Sequence, residues 1–78
     1  MREVVLYTRD GCSLCAAAKA VILGLRRSVD FSFREVDIGS SGELYDEHRH
    51  DIPVIEIDGK RAFKYRVDAA ELKKRLSA

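Results

Sequence analysis

Val4-Val5-Leu6-Tyr7-Thr8-Arg9-Asp10-Gly11-Cys12-Ser13-Leu14-Cys15-Ala16-Ala17-Ala18 is the stretch that decides the fold. A short apolar, β-branched run, a Gly, and then C-x-x-C opening an Ala-rich run read as strand, loop and helix start. That order sets Cys12 at a helix N-terminus, where unpaired N–H groups and the positive end of the helix dipole favour a thiolate over a thiol. Cys15 falls on the inward stripe Cys15, Ala18, Ile22 and Leu25, with Leu14, Ala17 and Val21 beside it. At this spacing the two sulfurs can come within bonding distance while only Cys12 meets solvent. The pair, the only cysteines in the chain, is the minimum equipment for making and breaking disulfides. Position assigns the roles: Cys12 attacks a disulfide, and Cys15 resolves the mixed disulfide that forms.

Beyond this stretch, the first helix is expected from Cys12 to about Arg27, with Lys19, Arg26 and Arg27 facing water. Phe31–Ile38 predicts a second strand, whose apolar phase changes between Phe33 and Val36 and so implies a bend or burial on both faces. Ser40-Ser41-Gly42 leads into a short helix near Glu43–Arg49, with Leu44 as its main apolar residue. Ile52–Ile57 and Arg61–Lys64, joined by Asp58-Gly59-Lys60, predict an antiparallel hairpin. Asp68 followed by Glu71 fits a capping box for a last helix that turns Leu72 and Leu76 inward. The order is β-α-β-α-β-β-α. The first two strands, joined by a crossover, run parallel, and the economical solution is a four-stranded mixed sheet with helices on both faces, of the α/β class.

Composition narrows the function classes. Seventy-eight residues make a single domain over residues 1–78, burying roughly 60% of its unfolded surface. Hydrophobic residues at 46% and charged residues at 35% suit a small core under a soluble surface. Fourteen basic and 13 acidic residues give a net charge of +1, so no global attraction to nucleic acid or anionic membrane is expected. No apolar run approaches the ~20 residues that span a bilayer, and Met1-Arg2-Glu3-Val4 enters a strand without signal-peptide features. A monomer in a reducing cytoplasm is expected, where C-x-x-C is redox-active or metal-binding more often than a structural staple.

Pro53 is the chain's only proline. It precedes a strand expected to be central, where proline is normally excluded, so it stands at the strand's start, and a cis Ile52–Pro53 bond there would be a specific feature. The backbone beside it offers an edge for an extended peptide.

With both features placed, the whole chain resembles the thioredoxin superfamily, and in length the short bacterial glutaredoxin-like proteins. Tyr7–Cys15 looks like the glutaredoxin active-site segment, Ile52-Pro53-Val54 like its cis-proline motif, and Asp58-Gly59 like its hairpin turn. Tyr65-Arg66-Val67-Asp68-Ala69-Ala70-Glu71-Leu72 is similar to the ending of the short group. The resemblance implies a thioredoxin-like, glutaredoxin-type fold and a thiol–disulfide oxidoreductase with no bound cofactor. Its partners would be protein or small-molecule disulfides, with glutathione or a reductase as electron donor. It also implies substrate contacts at Arg9, Ser13, Leu14, Ile52, Pro53, Tyr65 and Asp68. Departures stand beside it. The Gly-Gly pair by which glutaredoxins admit glutathione is replaced by Tyr65-Arg66-Val67, which argues against close approach of that tripeptide. The Trp before the first Cys and the buried acid of thioredoxins are missing.

Two other function classes share these residues. Cys12 and Cys15 with His48 and His50 number the four ligands of a zinc site, but His-x-His is shorter than the usual spacing and points the imidazoles apart. Iron–sulfur sharing between two chains through Cys12 is the related case. The other class is a redox-inert interaction module. His48 and His50 are expected to be exposed at a helix end, Tyr7 to be a packing residue, and Lys60, Arg61, Lys64 and Arg66 to form a charged hairpin edge.

Overall fold

The computed structural model describes residues 1–77. Strand β1 (Arg2–Thr8) leads into helix α1 (Ser13–Leu25), strand β2 (Phe31–Asp37) and a 3-10 turn over Ile38–Ser40. Helix α2 (Gly42–His48), strands β3 (Val54–Ile57) and β4 (Lys60–Lys64) and helix α3 (Ala69–Ser77) complete the order. The sheet runs β2-β1-β3-β4, with β1 parallel to β2 and antiparallel to β3, and β3 antiparallel to β4. This is the expected mixed four-stranded sheet, and β3, the strand that Pro53 precedes, lies inside it.

Period-2 alternation along β1 assigns the two faces. Val4 and Leu6 join Ala18 and Ile22 of α1, Phe31 of β2, Ile55 and Ile57 of β3, and Leu72 and Leu76 of α3 in one buried cluster. Tyr7 faces the other way and stacks on His48 of α2, ring centroids 4.4 Å apart. Helices α1 and α3 therefore cover one face and α2 the other. Among the described residues, no helix is long and apolar enough to cross a membrane.

The β3–β4 turn follows from its sequence. Asp58 and Gly59 both have positive φ (53° and 82°), as a type I′ hairpin requires. The Asp58 carboxylate accepts from the Glu3 amide and the Arg2 guanidinium, each at 2.9 Å, which ties the turn to the start of β1. Pairing between β3 and β4 slips by one residue between Ile55 and Glu56, a bulge that sets Ala62 outside the regular register.

Two expectations are corrected. Strand β2 is neither bent nor buried on both faces. It pairs with β1 in unbroken register from Phe31 to Asp37 as an edge strand, with Phe31 buried and Ser32, Arg34, Glu35 and Asp37 exposed. The change of apolar phase reflects loss of burial toward the strand's end. His48 is not exposed: at 2% it is the one buried polar residue among those described. The four-residue spacing from Leu44 to His48 puts it on the inward side of α2, and its aromatic ring lies flat on Tyr7. His50 is exposed, as expected.

Candidate functional site

Cys12 occupies the N-cap of α1 with extended backbone (φ −93°, ψ 108°), and its Sγ accepts the Cys15 amide at 3.1 Å. The thiol thus does what a Ser or Asp side chain does at other helix starts, satisfying an amide that has no carbonyl partner in the helix. Gly11, at φ 77°, makes the turn that brings the chain into this cap. Cys12 is half-buried and Cys15 is buried at 3%; both are free thiols. The Cys12 sulfur thus sits against the backbone of Cys15, one helical turn on, so the two thiols are neighbours.

Burial, reinforced by the Cys12 sulfur beside it, pushes the Cys15 thiol above the ordinary thiol range. The Thr8 side chain and the Arg9 backbone work against that rise and lower the pKa. Cys15 is thus a protonated thiol at neutral pH, held between the helix and the end of β1.

Two concavities flank the pair. The larger, about 640 Å³, is polar and runs from the β1–α1 loop to β2. Arg9, Cys12, Ser13, Cys15, Glu35 and Asp37 line it, with Lys19 reaching Glu35 at 3.0 Å. The smaller, about 190 Å³, is a groove between α1 and the chain before α3, lined by Leu14, Ala17, Val21, Tyr65, Arg66 and Val67.

The expected contact residues divide between these places. Arg9 and Ser13 lie with the cysteines in the polar concavity, and the Arg9 guanidinium reaches the Tyr45 hydroxyl at 3.5 Å and lies 5.3 Å from its ring. Leu14 and Tyr65 line the apolar groove and are the large exposed hydrophobic side chains there. The Ile52–Pro53 peptide is cis. Pro53 is buried, and its carbonyl accepts the Tyr65 amide at 2.8 Å, so the proline is tied to the groove wall through Tyr65. Tyr65 has φ 67°, a left-handed conformation in a non-glycine residue. Its hydroxyl donates to the His50 carbonyl at 3.0 Å. Asp68 lines neither concavity: its carboxylate caps α3, accepting from the amides of Ala70 (2.9 Å) and Glu71 (3.3 Å).

Sequence reading did not single out Thr8, Glu35 and Asp37, which line the polar concavity with the cysteines, or Tyr45, which meets Arg9. The signal for Thr8 was available: it lies two and four residues after Leu6 and Val4, on the same face of β1 as the side chains that meet α1. The zinc set is not assembled. His48 packs on Tyr7, and no group of three or more His, Cys, Asp or Glu among the described residues is placed to hold a metal ion.

A four-stranded β2-β1-β3-β4 sheet with its cysteine pair at the start of α1 and a proline before β3 defines the thioredoxin fold. Solved structures agree. Protein Ne2328 of Nitrosomonas europaea superposes with a TM-score of 0.82 at 25% identity, over 96% of this chain and 91% of that one. XcR50 of X. campestris does so at 0.75 and 28% identity, over 95% of each chain. A thioredoxin from Halobacterium salinarum shares the fold at a TM-score of 0.73 and 17% identity, over 97% of this chain and 72% of that one. Within this fold the chain belongs to the glutaredoxin-like domain family (DUF836), whose model matches residues 3–77. A glutaredoxin-like protein of Dictyostelium discoideum is 36% identical over 76 residues, covering 90% of this chain and 70% of that one.

Proposed function

We propose that the protein is a thiol–disulfide oxidoreductase that reduces disulfides by dithiol exchange. The observation that carries this reading is the Cys12 Sγ at the N-cap of α1, half-exposed and accepting the amide hydrogen bond of the buried Cys15. Deprotonated Cys12 attacks one sulfur of a substrate disulfide, and the other leaves as a thiolate. Cys15 loses its proton and attacks Cys12 Sγ. A Cys12–Cys15 disulfide forms, and the captured half of the substrate departs as a thiol. An external reductant, glutathione or a reductase, returns the pair to two thiols. Arg9 and Ser13 on the polar side, and Leu14 and Tyr65 on the groove side, are the surfaces against which the substrate rests, and the cis Ile52–Pro53 peptide, with Pro53 itself buried, acts through the Pro53 carbonyl that holds the Tyr65 amide. Asp68 acts by holding the start of α3. The working compartment is a reducing one, the cytoplasm, and the working form a monomer.

The donor follows from the walls of the groove. Tyr65 stands where a close-approaching tripeptide would need bare backbone, and its hydrogen bonds hold it there. A protein reductase is therefore favoured over glutathione. Coupled assays test this: disulfide reduction should run faster with thioredoxin reductase and NADPH than with glutathione and glutathione reductase. Rapid turnover by glutathione alone would overturn the donor assignment but leave the exchange chemistry standing.

A further inference from the structure

The two concavities beside the cysteines differ in charge. The polar one sets three carboxylates, Asp10, Glu35 and Asp37, against the cations of Arg9 and Lys19. Among the described residues that line the groove none is acidic, and Arg66 alone is charged. Lys64 adds a second cation there, its ammonium 5.3 Å from the ring of Tyr65 in the groove wall. The Asp51 carboxylate that meets the Tyr65 hydroxyl at 3.4 Å is offset by the Arg61 guanidinium at 3.5 Å. Other arginines are engaged: Arg2, Arg34, Arg61 and Arg75 each hold a carboxylate, and Arg9 and Arg49 lie over the Tyr45 ring. The exposed Arg66 guanidinium has no such partner among the described residues. Its backbone is fixed all the same, with the Tyr65 amide on the Pro53 carbonyl and the Arg66 amide on the Lys64 carbonyl, each at 2.8 Å. Facing it in the groove is Leu14, two residues after Cys12 and 39% exposed, with Ala17 and Val67.

We propose that this groove docks a segment of a disulfide-bonded protein that carries an apolar and an acidic side chain close to the attacked cysteine. The apolar side chain covers Leu14, Ala17 and Val67, and the carboxylate pairs with Arg66. The inference rests on the dithiol reading and names the class of substrate it serves. Arg66 and Lys64 attract a carboxylate and repel a lysine in its place. A planar guanidinium can also take the carboxylate through two hydrogen bonds, which an ammonium cannot do. The opposite concavity, with carboxylates in excess, repels the same acidic side chain. The contrast in charge therefore sets the side of Cys12 over which the segment runs. Because Leu14 is two residues from Cys12, the docked side chains lie within a few residues of the attacked cysteine.

Capture can be timed in a Cys15→Ser background with short cysteine peptides joined through a disulfide to thionitrobenzoate, whose coloured release reports attack by Cys12. The peptides carry Leu-Glu, Leu-Lys or Ser-Glu beside the cysteine, before it in one set and after it in another. In at least one set Leu-Glu should be captured about fivefold faster than Leu-Lys, the upper value of an exposed ion pair. It should also be captured faster than Ser-Glu, and its advantage over Leu-Lys should shrink in about 0.5 M salt. Arg66→Ala should remove the preference for Glu over Lys, Arg66→Glu should invert it, and Arg66→Lys should keep its direction. Each is a ratio within one variant, so a general loss of stability does not imitate it. Equal capture of Leu-Glu with Leu-Lys, or with Ser-Glu, in both sets would overturn the proposal, as would a preference that survives Arg66→Glu. Oxidised glutathione tests the other occupant: the ratio of Leu-Glu to glutathione capture should fall about fivefold in Arg66→Ala. An unchanged ratio would mean that Arg66 reads the carboxylates of a small thiol, and would overturn the protein segment. No coloured release from any peptide would remove the exchange reading, and the docking surface with it.

Discussion

At the scale of single residues, the site works by giving two chemically identical side chains different surroundings. Cys12 has solvent on one side and the Cys15 amide on the other; Cys15 has the core behind it. Desolvation disfavours the charged form of a buried thiol, and that is the first cause of the raised Cys15 pKa. In a Cys12→Ser variant, iodoacetamide should therefore modify Cys15 slowly, with a rate that keeps rising above pH 8.5, the ordinary thiol range. A Cys15 that alkylates at neutral pH as fast as a free thiol would contradict the assignment. Asp58 offers a second titration. The Glu3 amide, helped by the Arg2 guanidinium, holds its carboxyl below the usual carboxylate range. A folded-state pKa lowered in this way contributes stability above the unfolded pKa of about 3.9, lost as pH falls through the folded value. Asp58→Asn should lower the urea midpoint at pH 7, and its difference from the wild type should shrink below about pH 4. A difference that is the same at both pH values would show that only turn geometry is at stake. Tyr65 shows what single residues hide from sequence: nothing in its identity announces a left-handed backbone, and only the partners of its amide and hydroxyl explain why it is held there.

At the scale of elements, each helix start has its own chemistry. Helix α1 is capped by a thiol and α3 by a carboxylate. Losing an Asp cap costs about 1 kcal/mol, so Asp68→Ala should lower the unfolding midpoint while leaving capture of a disulfide by Cys12 near wild type. Loss of capture without loss of stability would instead make Asp68 a substrate contact. Elements whose pattern is dictated by one partner were readable in advance. The α1 stripe Cys15, Ala18 and Ile22 is buried as its spacing implied, and Asp58-Gly59 makes the expected hairpin. Strand β2 and helix α2 were harder, because their burial is set by position in the sheet. The Phe33–Val36 phase change cannot distinguish a bend from an edge without knowing that β1 has β3 on its other side. His48 misled because a histidine at a helix end is usually solvated, and only the Tyr7 ring on the sheet makes burial favourable.

At the scale of the whole molecule, β1 is the organising strand. It carries Val4 and Leu6 into the main core and Tyr7 to the face under α2, and it delivers Thr8 and the loop that ends in Cys12. The Tyr7 hydroxyl donates to Glu56 of β3 at 3.2 Å, and burial together with that carboxylate raises the Tyr7 pKa, so the phenol stays protonated and the bond survives at alkaline pH. Leu72, fully buried beneath the sheet, ties α3 to this core. Leu72→Ala should cost about 2–5 kcal/mol in denaturant unfolding; a loss under 1 kcal/mol would mean that α3 is not part of the cooperative unit. The fold was readable because the order of strands, helices and turns leaves few ways to close one small sheet. The partition of the surface into a polar concavity and an apolar groove was not, since each is assembled from segments far apart in the chain.

The most direct test is a trapping experiment read by intact-protein and peptide mass spectrometry. Cys15→Ser, incubated with a disulfide-bonded peptide, should accumulate a mixed disulfide on Cys12, whereas the wild type should release the peptide and keep a Cys12–Cys15 disulfide. Cys12→Ser should stay unmodified under the same conditions. An adduct found on Cys15 in Cys12→Ser as readily as on Cys12 in Cys15→Ser, or no adduct in either, would contradict the account.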